Sequence, residues 1–355
     1  MAIELNGAGP SYTPAATLHA HTRSVTAVCF SANGKALVSA GADGYVHFWD
    51  AKTGAHQRAL RCHRTGINDI SLSPDGLYFC TASDDNTALV FASDHLVDAV
   101  AGEERVHTHA VPLRTLLGHT ATVLCVAYGP RSNLIVTGSY DESAIVWDVR
   151  RGRALRTLPA HADAIWSVGW DAEGALVITG SADGLIRLWD VNTGQCLKTL
   201  DNESNSPVSS ASFTPSSFHI LAASLSSTIR VYSLHTGKVL KTLRDPAYVC
   251  ERYPSPVIVF GAERKDKDAM DVDSAVPSAA PSAAPSPGRP KGPVTLVVAG
   301  SENGSVVVWD LQERRVVAVL NGHTSAVVAL AVSPDGTIAS GSLEPERSIR
   351  LWRIE

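Results

Sequence analysis

The chain has 355 residues, 45% of them hydrophobic, so it can bury a large core. Its formal net charge of -5 and pI of about 6.2 give no broad electrostatic reason to bind nucleic acid or an anionic membrane. The longest apolar runs are strand-sized and the first residues lack a basic region followed by an apolar run, so we expect neither a membrane span nor a signal peptide.

One pattern recurs along the chain, beginning with "AATLHAH" at residues 15–21, which looks like the tail of a repeat without its front half. In each full copy, apolar and polar residues alternate, a polar turn follows, and a second alternating stretch returns, which predicts a β-hairpin. The copies include "VHFWDAKTGAHQRAL" from Val46, "IVWDVRRGRALRTL" from Ile145, "IRLWDVNTGQCLKTL" from Ile186, "IRVYSLHTGKVLKTL" from Ile229 and "VVVWDLQERRVVAVL" from Val306.

The aromatic residue that closes the third strand of each repeat gives the period. It falls at Trp49, Phe91, Trp147, Trp189, Tyr232, Trp309 and Trp352. Four of the six steps are 42 or 43 residues long, and the other two, of 56 and 77 residues, contain insertions. A period of about 40–45 residues with four strands is typical of a β-propeller blade. The sequence therefore predicts an all-β, seven-bladed propeller that forms a single domain over residues 1–355.

Histidines and acids recur at fixed places in the repeats. A histidine precedes the first strand in five repeats, and an acid occupies a turn between the histidine and the closing aromatic in four. The histidines are His21, His63, His119, His161 and His323, and the acids are Asp43, Asp85, Asp141 and Asp183. Repeats five and six lack the histidine, and Ser226 and Asn303 stand in for the acid, so we expect these two blades to be less rigid.

Two insertions interrupt the period. The smaller one begins at Ala92 and contains His107 and His109, a weak metal signal without further ligands. The larger, residues 262–294, is rich in Pro, Ala and Ser and has no aromatic residue, which predicts a disordered low-complexity loop within blade six. Its "GRPK" at 288–291 could act as a minor-groove hook, but a plain linker is favoured.

Ring closure follows from the order of the strands. "SIRLWRIE" at the end supplies only the third strand of repeat seven, so residues 15–21 are expected to supply the fourth. The six scattered cysteines form no CxxC pair and indicate free thiols in a reducing compartment, the cytosol or the nucleus.

The repeats resemble those of WD40-repeat proteins over essentially the whole chain. "NLIVTGSYDESAIVWDV" and the ending "SLEPERSIRLW" are similar to one branch, the WD-repeat scaffold subunit of COMPASS/MLL-type histone H3 lysine-4 methyltransferase complexes. The resemblance implies that the histidine, the turn Asp, the Trp and a strand hydroxyl form a buried network in each blade. The hydroxyls would be Ser39, Thr81, Thr137 and Thr179. Since these residues would be structural, we expect no catalytic residue, no metal ligand and no cofactor.

The resemblance also implies a peptide site, at which two aromatic rings clamp an arginine side chain in the channel. Tyr140 matches the first ring and Asp84 matches an acidic channel residue. Pro256 stands where the second ring is expected, so Tyr253 or Trp166 would have to replace it, and no aromatic is found at Ala182. The remaining predicted channel residues are Ala42, Ser24, Asn68 and Ser210, and a co-subunit would bind at Ser216, His219 and Val231 on the opposite face.

Three classes of function were compared. The favoured one is a non-catalytic nuclear scaffold, whose partners would be a methyltransferase catalytic subunit, other WD-repeat or COMPASS subunits and the histone H3 tail. A general adaptor, such as a ubiquitin-ligase substrate receptor or a signalling scaffold, stays open, and co-purified subunits would separate the two. An enzyme is not supported, because no GxGxxG, GxxxxGK[ST], HExxH or nucleophile-elbow pattern occurs in a suitable context.

Overall fold

A computed structural model of the protein describes residues 4–5, 11–93, 108–202, 205–264 and 294–354. The strands in these ranges form seven sheets, each built around four antiparallel strands. The predicted all-β, seven-bladed propeller is confirmed. No helix in the described ranges has the length and apolar character needed to cross a bilayer.

Blades one to four follow the chain order. Blade one contains β3 (Val25–Phe30), β4 (Ala36–Gly41), β5 (Tyr45–Asp50) and β6 (His56–Arg61), and blade two contains β7 (Ile67–Leu72), β8 (Tyr78–Ser83), β9 (Ala88–Ala92) and β11 (Arg114–Leu116). Blade three contains β12 (Val123–Tyr128), β13 (Leu134–Ser139), β14 (Ala144–Asp148) and β15 (Arg153–Leu158), and blade four contains β16 (Ile165–Trp170), β17 (Leu176–Ser181), β18 (Leu185–Asp190) and β19 (Cys196–Asp201).

The other three blades complete the ring. Blade five contains β20 (Val208–Phe213), β21 (His219–Ser224), β22 (Thr228–Ser233) and β23 (Val239–Leu243), and blade six contains β24 (Val257–Arg264), β25 (Val294–Gly300), β26 (Ser305–Asp310) and β27 (Arg315–Asn321). Blade seven contains β28 (Val327–Val332), β29 (Ile338–Ser342), β30 (Ile349–Ile354) and the early strand β2 (Tyr12–Leu18). Two short strands, β1 (Glu4–Leu5) and β10 (Thr108–His109), pair in parallel with β24 and β6.

The core lies between the blades rather than at the centre of the molecule. The first strand of every blade is innermost and contacts the first strands of both neighbours, so seven inner strands enclose the channel. Each apolar cluster combines side chains of two adjacent blades. Trp147 of blade three, for example, is buried with Val90 and Leu116 of blade two. Because each blade buries its faces only against its neighbours, the ring has to close to protect the last one.

The closing strand is the early one, as expected. β2 pairs antiparallel with β30, from Tyr12 opposite Ile354 to Leu18 opposite Ile349. Its bounds are earlier than the predicted 15–21, and the register shifts between Pro14 and Ala16. Proline is tolerated there because β2 is the outer edge strand of the blade.

The predicted insertion of residues 262–294 begins too early. β24 continues to Arg264 and β25 begins at Val294, so four residues of the predicted insertion, 262–264 and 294, belong to strands. The strand continues because Ala262 has a partner on β25, and Glu263 and Arg264 pair with Glu4 and Leu5 of β1. Residues 265–293, including the "GRPK" segment, lie outside the described residues, as do residues 94–107 with His107.

The buried network is present in the four blades for which its residues were predicted. His119 Nδ1 lies 2.9 Å from Asp141 Oδ2, its Nε2 lies 2.7 Å from Thr137 Oγ1, and Trp147 Nε1 donates to that hydroxyl at 2.8 Å. The same histidine–hydroxyl contacts join His21 to Ser39, His63 to Thr81 and His161 to Thr179. The buried histidines and strand hydroxyls of these four networks therefore have partners, as a dry interior requires.

Blade seven has the same network with an acid that the sequence analysis did not identify. His323 Nε2 lies 2.8 Å from Ser340 Oγ, and its Nδ1 lies 3.0 Å from Glu346 Oε1. The turn here is two residues longer than in blade three, since Ser342 N donates to Ser348 O where Ser139 N donates to Ser143 O. The acid is therefore displaced from the expected spacing.

Blades five and six are held differently. In blade five, three hydroxyls, those of Ser224, Ser226 and Thr228, lie 2.8–3.0 Å from one another. In blade six, Asn303 Oδ1 accepts from Ser305, and Trp309 Nε1 is buried with no hydrogen-bond partner among the described residues. The Trp309 ring instead packs edge-on against Tyr248, 5.4 Å between ring centroids.

Candidate functional site

A backbone hydrogen bond that recurs in all seven blades defines one end of the channel. In six blades, the residue after the second strand donates its amide to the carbonyl of the residue just before the inner strand, and in blade six the acceptor is Val249. The seven donors are Ala42, Asp84, Tyr140, Ala182, Leu225, Glu302 and Leu343, at 2.8–3.1 Å. Because all inner strands begin at this end, these seven residues form a ring, here called the mouth ring.

Three members of the mouth ring were not predicted. Leu225 and Glu302 precede Ser226 and Asn303, the residues that replace the turn acid, so the same spacing would have identified them. Leu343 was concealed by the longer turn of blade seven. The ring carries two carboxylates, those of Asp84 and Glu302, and no cationic side chain. Its chemistry suits a positively charged ligand.

Tyr140 presents an aromatic ring to solvent from a turn that hydrogen bonds hold in place. Its side chain is 63% exposed, yet its amide donates to Thr122 O at 2.9 Å. The next residue is Asp141, which accepts from Thr120 N at 2.9 Å as well as contacting His119. The buried network thus holds the turn while the Tyr140 ring stays free to stack, at little cost in backbone entropy.

The Asp84 carboxylate is oriented by Asn68. Asn68 Nδ2 donates to Asp84 Oδ1 and to Val123 O, both at 2.9 Å. A Cβ on Gly66 would lie 2.8 Å from Asp84 Oδ2, so the missing side chain leaves room for the carboxylate. The structure brings Asn68 and Asp84 together as predicted, and Asn68 also ties blade two to blade three.

On the far side of the ring, Glu302 fixes the turn that carries Tyr253. Glu302 Oε1 accepts the amides of Glu251, Arg252 and Tyr253 at 2.6, 2.5 and 2.9 Å. The Tyr253 side chain is 46% exposed. A second aromatic ring is therefore presented next to a mouth-ring residue, although the position predicted for it is occupied by Pro256.

Pro256 and Ser210 lie at the junction of blades five and six. Pro256 is half-buried and leads into β24, whose first amide, Val257 N, donates to Ser210 Oγ at 3.2 Å. A pyrrolidine ring offers no aromatic face, so Pro256 itself cannot stack on a guanidinium. Ser210 is buried, and its hydroxyl is used between the blades.

The predicted first-strand residues do not occupy equivalent positions. Asn68 and Trp166 are the extra residues of β-bulges in β7 and β16, whereas Ser24 precedes β3 and Ser210 follows the bulge of β20. The bulge itself recurs after the first residue of the inner strand in blades one to five and seven, so Ser24 and Ser210 stand at other places in the repeat than Asn68 and Trp166. Ser24 Oγ accepts from Glu344 N at 3.1 Å and so joins blades one and seven.

The three residues predicted for the co-subunit site differ in their exposure. Ser216 lies in the turn between β20 and β21, and His219 is the first residue of β21, at the end of the channel opposite the mouth ring. Val231 is 3% exposed and packs in the core between blades five and six, so it offers no contact surface. Phe218 was not predicted, yet it is 73% exposed on the same turn.

Comparison with known proteins agrees with the fold. A family model described as the WDR5 beta-propeller domain matches residues 17–353. The nuclear distribution protein PAC1 of Coccidioides posadasii is 28% identical over 163 residues, 38% of this chain and 32% of that protein. WD repeat-containing protein 1 of Xenopus tropicalis is 29% identical over 179 residues, 41% of this chain and 30% of that protein.

A third relative is similar over a comparable stretch. The protein LST8 homolog of Drosophila melanogaster is 24% identical over 123 residues, 35% of this chain and 37% of that protein. The chain thus matches about a third of the length of these curated relatives. Their names are diverse, so the shared property is the repeat architecture.

Proposed function

The chain belongs to the WDR5 beta-propeller family of WD40-repeat proteins, and from this premise we propose that it is the scaffold subunit of a histone H3 lysine-4 methyltransferase complex of the COMPASS type. Its general character is that of a propeller scaffold or adaptor. In the proposed role it holds an arginine side chain of a partner at the mouth ring. The catalytic subunit and other WD-repeat subunits of the complex, with the H3 tail, are the partners, and the nucleus is the location.

The observation that carries the proposal is the pairing of Tyr140 with the oriented Asp84 carboxylate on one ring. The guanidinium of arginine is planar, permanently charged and weakly hydrated, so it stacks on an aromatic face and pairs with a carboxylate at the same time. Tyr140 offers the face, and Asn68 holds Asp84 in place for the charge.

The second ring of the clamp is assigned to Tyr253. It is exposed on a turn fixed by Glu302, and blade six lies across the ring from blade three. Trp166 is the weaker candidate because its side chain is half-buried on the bulge of β16. Glu302 would then have two effects, as an anchor for Tyr253 and as a second negative charge.

Titration calorimetry with an H3 N-terminal peptide tests the site. We expect Tyr140→Ala to weaken binding by about 1–2 kcal/mol, the range of a desolvated cation–π contact. Tyr253→Ala should weaken it in the same way, and replacing the peptide arginine by lysine should cost at least as much. Phe218→Ala, an exposed aromatic on the opposite face, is the matched control and should bind like the wild type.

Equal affinities of the wild type and Tyr140→Ala would refute the arginine site. The scaffold role has a separate test, which is mass spectrometry of subunits co-purified from the native cell. Methyltransferase subunits support the proposal. Ubiquitin-ligase or signalling subunits would support the second candidate, a general adaptor, which the diverse names of the relatives favour.

A further inference from the structure

Blade one differs from the other blades in having a second histidine beside its buried network. His47 lies on β5 and is buried, and its ring centroid is 4.3 Å from that of His21, with the rings nearly perpendicular. On the neighbouring strand β6, His56 Nε2 lies 2.9 Å from His47 Nδ1. Three imidazoles and the Asp43 carboxylate therefore meet in one small region.

The place of His47 in the repeat shows that its side chain faces the network acid. It stands two residues before the closing Trp49, and the equivalent residues are Leu89, Ile145, Arg187, Arg230, Val307 and Arg350. In blade seven, Arg350 Nε lies 3.5 Å from the carboxylate oxygen of Glu346. A cationic group thus occupies this position beside the acid in blade seven, whereas blade one has an imidazole, a ligand that can bind a cation.

Three donor atoms lie close enough together to share one metal ion. His21, Asp43 and His47 each offer one donor atom, and these atoms lie within 4.8 Å of one another. His21 Nδ1 and Asp43 Oδ2 are 3.1 Å apart. Two ligands of tetrahedral zinc, at bond lengths of about 2.0–2.1 Å, are separated by about 3.3 Å, so this edge of the tetrahedron is nearly formed.

We infer that blade one contains a binding site for a divalent transition metal of the zinc type, with His21, Asp43 and His47 as ligands, water in the fourth position, and His56 as the hydrogen-bond partner that orients His47. Nitrogen-rich ligand sets favour zinc and its neighbours over magnesium or calcium, which prefer oxygen. Coordination through His21 Nδ1 places the ring proton on Nε2, where Ser39 Oγ, 2.9 Å away, accepts it.

These residues lie within blade one and not on the mouth ring, so the metal site does not depend on the proposed peptide site. The metal site also gives His56 a role, because its Nε2 lies 2.9 Å from His47 Nδ1 and can fix the orientation of the His47 ring. Blades two and three serve as internal controls. Their His–Asp pairs are intact, but Leu89 and Ile145 replace the second histidine.

The test uses full-length protein without a histidine tag, stripped with a chelator and titrated with zinc by calorimetry. We expect one tightly bound ion, a raised melting temperature, and no response to magnesium. His47→Leu, which reproduces blade two, should lose the site, and His56→Gln should weaken it by about 10–100-fold. His235→Gln, an exposed histidine of blade five, is the control and should bind zinc normally.

Cobalt gives a readout that does not depend on stability. Tetrahedral coordination should produce visible absorption bands in the wild type and in His235→Gln but not in His47→Leu. His47→Gln keeps a polar group at the position and guards against a variant that fails to fold. Absence of zinc uptake by the wild type at micromolar concentration, or uptake that persists unchanged in both folded His47 variants, would overturn the assignment.

Discussion

Glu346 Oε1 lies 3.0 Å from His323 Nδ1, the same contact that Asp141 makes with His119 at 2.9 Å. The glutamate reaches the histidine from a turn two residues longer, so a longer acid compensates for a displaced backbone. Burial alone would raise the pKa of Glu346, but hydrogen bonds from Ser348, Thr324 and His323 outweigh it and lower the pKa to about 2.

We predict that Glu346→Ala lowers the free energy of unfolding at pH 7 by about 1–3 kcal/mol, since His323 loses its partner. Glu346→Asp should recover only part of this loss because its side chain is one methylene shorter. Urea unfolding measures both. Because the pKa of Glu346 is lower in the folded than in the unfolded state, ionised Glu346 stabilises the fold at pH values above the unfolded pKa. The stability lost in Glu346→Ala should therefore shrink as the pH falls below about 4. Glu344 lies on the same turn but is exposed, so Glu344→Ala should change the free energy of unfolding little. An equal effect of the two alanine variants would contradict the role of Glu346.

A second prediction concerns the indole N–H of two buried tryptophans. Trp147 Nε1 donates to Thr137 Oγ1 at 2.8 Å, whereas Trp309 Nε1 has no partner among the described residues. Substitution by Phe removes the same atoms at both sites, but only Trp147→Phe breaks a hydrogen bond. We expect Trp147→Phe to cost about 1 kcal/mol more than Trp309→Phe in urea unfolding. Equal costs would show that the network bond contributes nothing measurable.

Asp69 provides a pH-dependent prediction. Burial raises its pKa to about 7, against the smaller lowering effect of the amides of Val126 and Ile70. The folded state therefore holds a proton that the unfolded state has lost between about pH 4 and pH 7, so this group makes stability fall as the pH rises through that window. Asp69→Asn should remove this decrease in stability with rising pH. Its stability relative to the wild type should increase from pH 5 to pH 8, by up to about 1.4 kcal/mol per pH unit.

Histidines make an opposing contribution to the pH dependence of stability, which cancels when Asp69→Asn is compared with the wild type. Burial lowers the pKa of His119, His161 and His323 more than their acidic partners raise it. Below about pH 6.5 the unfolded state binds protons at these histidines that the folded state does not bind. These groups therefore lower the stability as the pH falls below about 6.5. They are present in both proteins. A difference between the two that does not change with pH would rule out the raised pKa of Asp69.

Ring closure can be tested without disturbing blade one. Deletion of residues 1–18 removes β2 but keeps His21, and it leaves the edge of β30 unpaired. We expect a large fall in melting temperature, or aggregation, because an exposed strand edge pairs with other chains. Deletion of residues 1–10 is the control and should leave the melting temperature nearly unchanged. A monomeric 1–18 deletion that melts like the wild type would show that β2 does not secure the ring.

The repeat made most of the fold predictable. Alternation and the spacing of Trp49 through Trp352 give the blades, and a hydroxyl such as Thr137 could be placed because blades repeat their geometry. Residues were missed where the backbone departs from the average repeat, because the longer turn of blade seven concealed Glu346 and Leu343. Ser24 and Ser210 differ from Asn68 and Trp166 in their position relative to the recurring bulge of the inner strand.

The mouth ring was predictable only in part for a different reason. Tyr140 and Asp84 could be predicted by counting back from the turn acid within one repeat. The role of Tyr253 depends on Glu302, about fifty residues away along the chain. His47 and His56 likewise come together through strand pairing, with Trp49 opposite His56. Contacts between distant residues leave no periodic trace in a single sequence, so the second ring and the histidine cluster required the structure.

The pairing of β2 with β30 has a consequence for synthesis of the protein in the cell. More than three hundred residues separate Leu18 from its partner Ile349. At roughly 5–20 residues per second, a ribosome needs tens of seconds to translate that interval. During this time β2 is a nascent strand without its sheet, and every completed blade exposes one apolar face. Cotranslational folding can therefore build blades in order but cannot finish the ring, and chains stalled before residue 349 should depend on chaperones that shield strand edges.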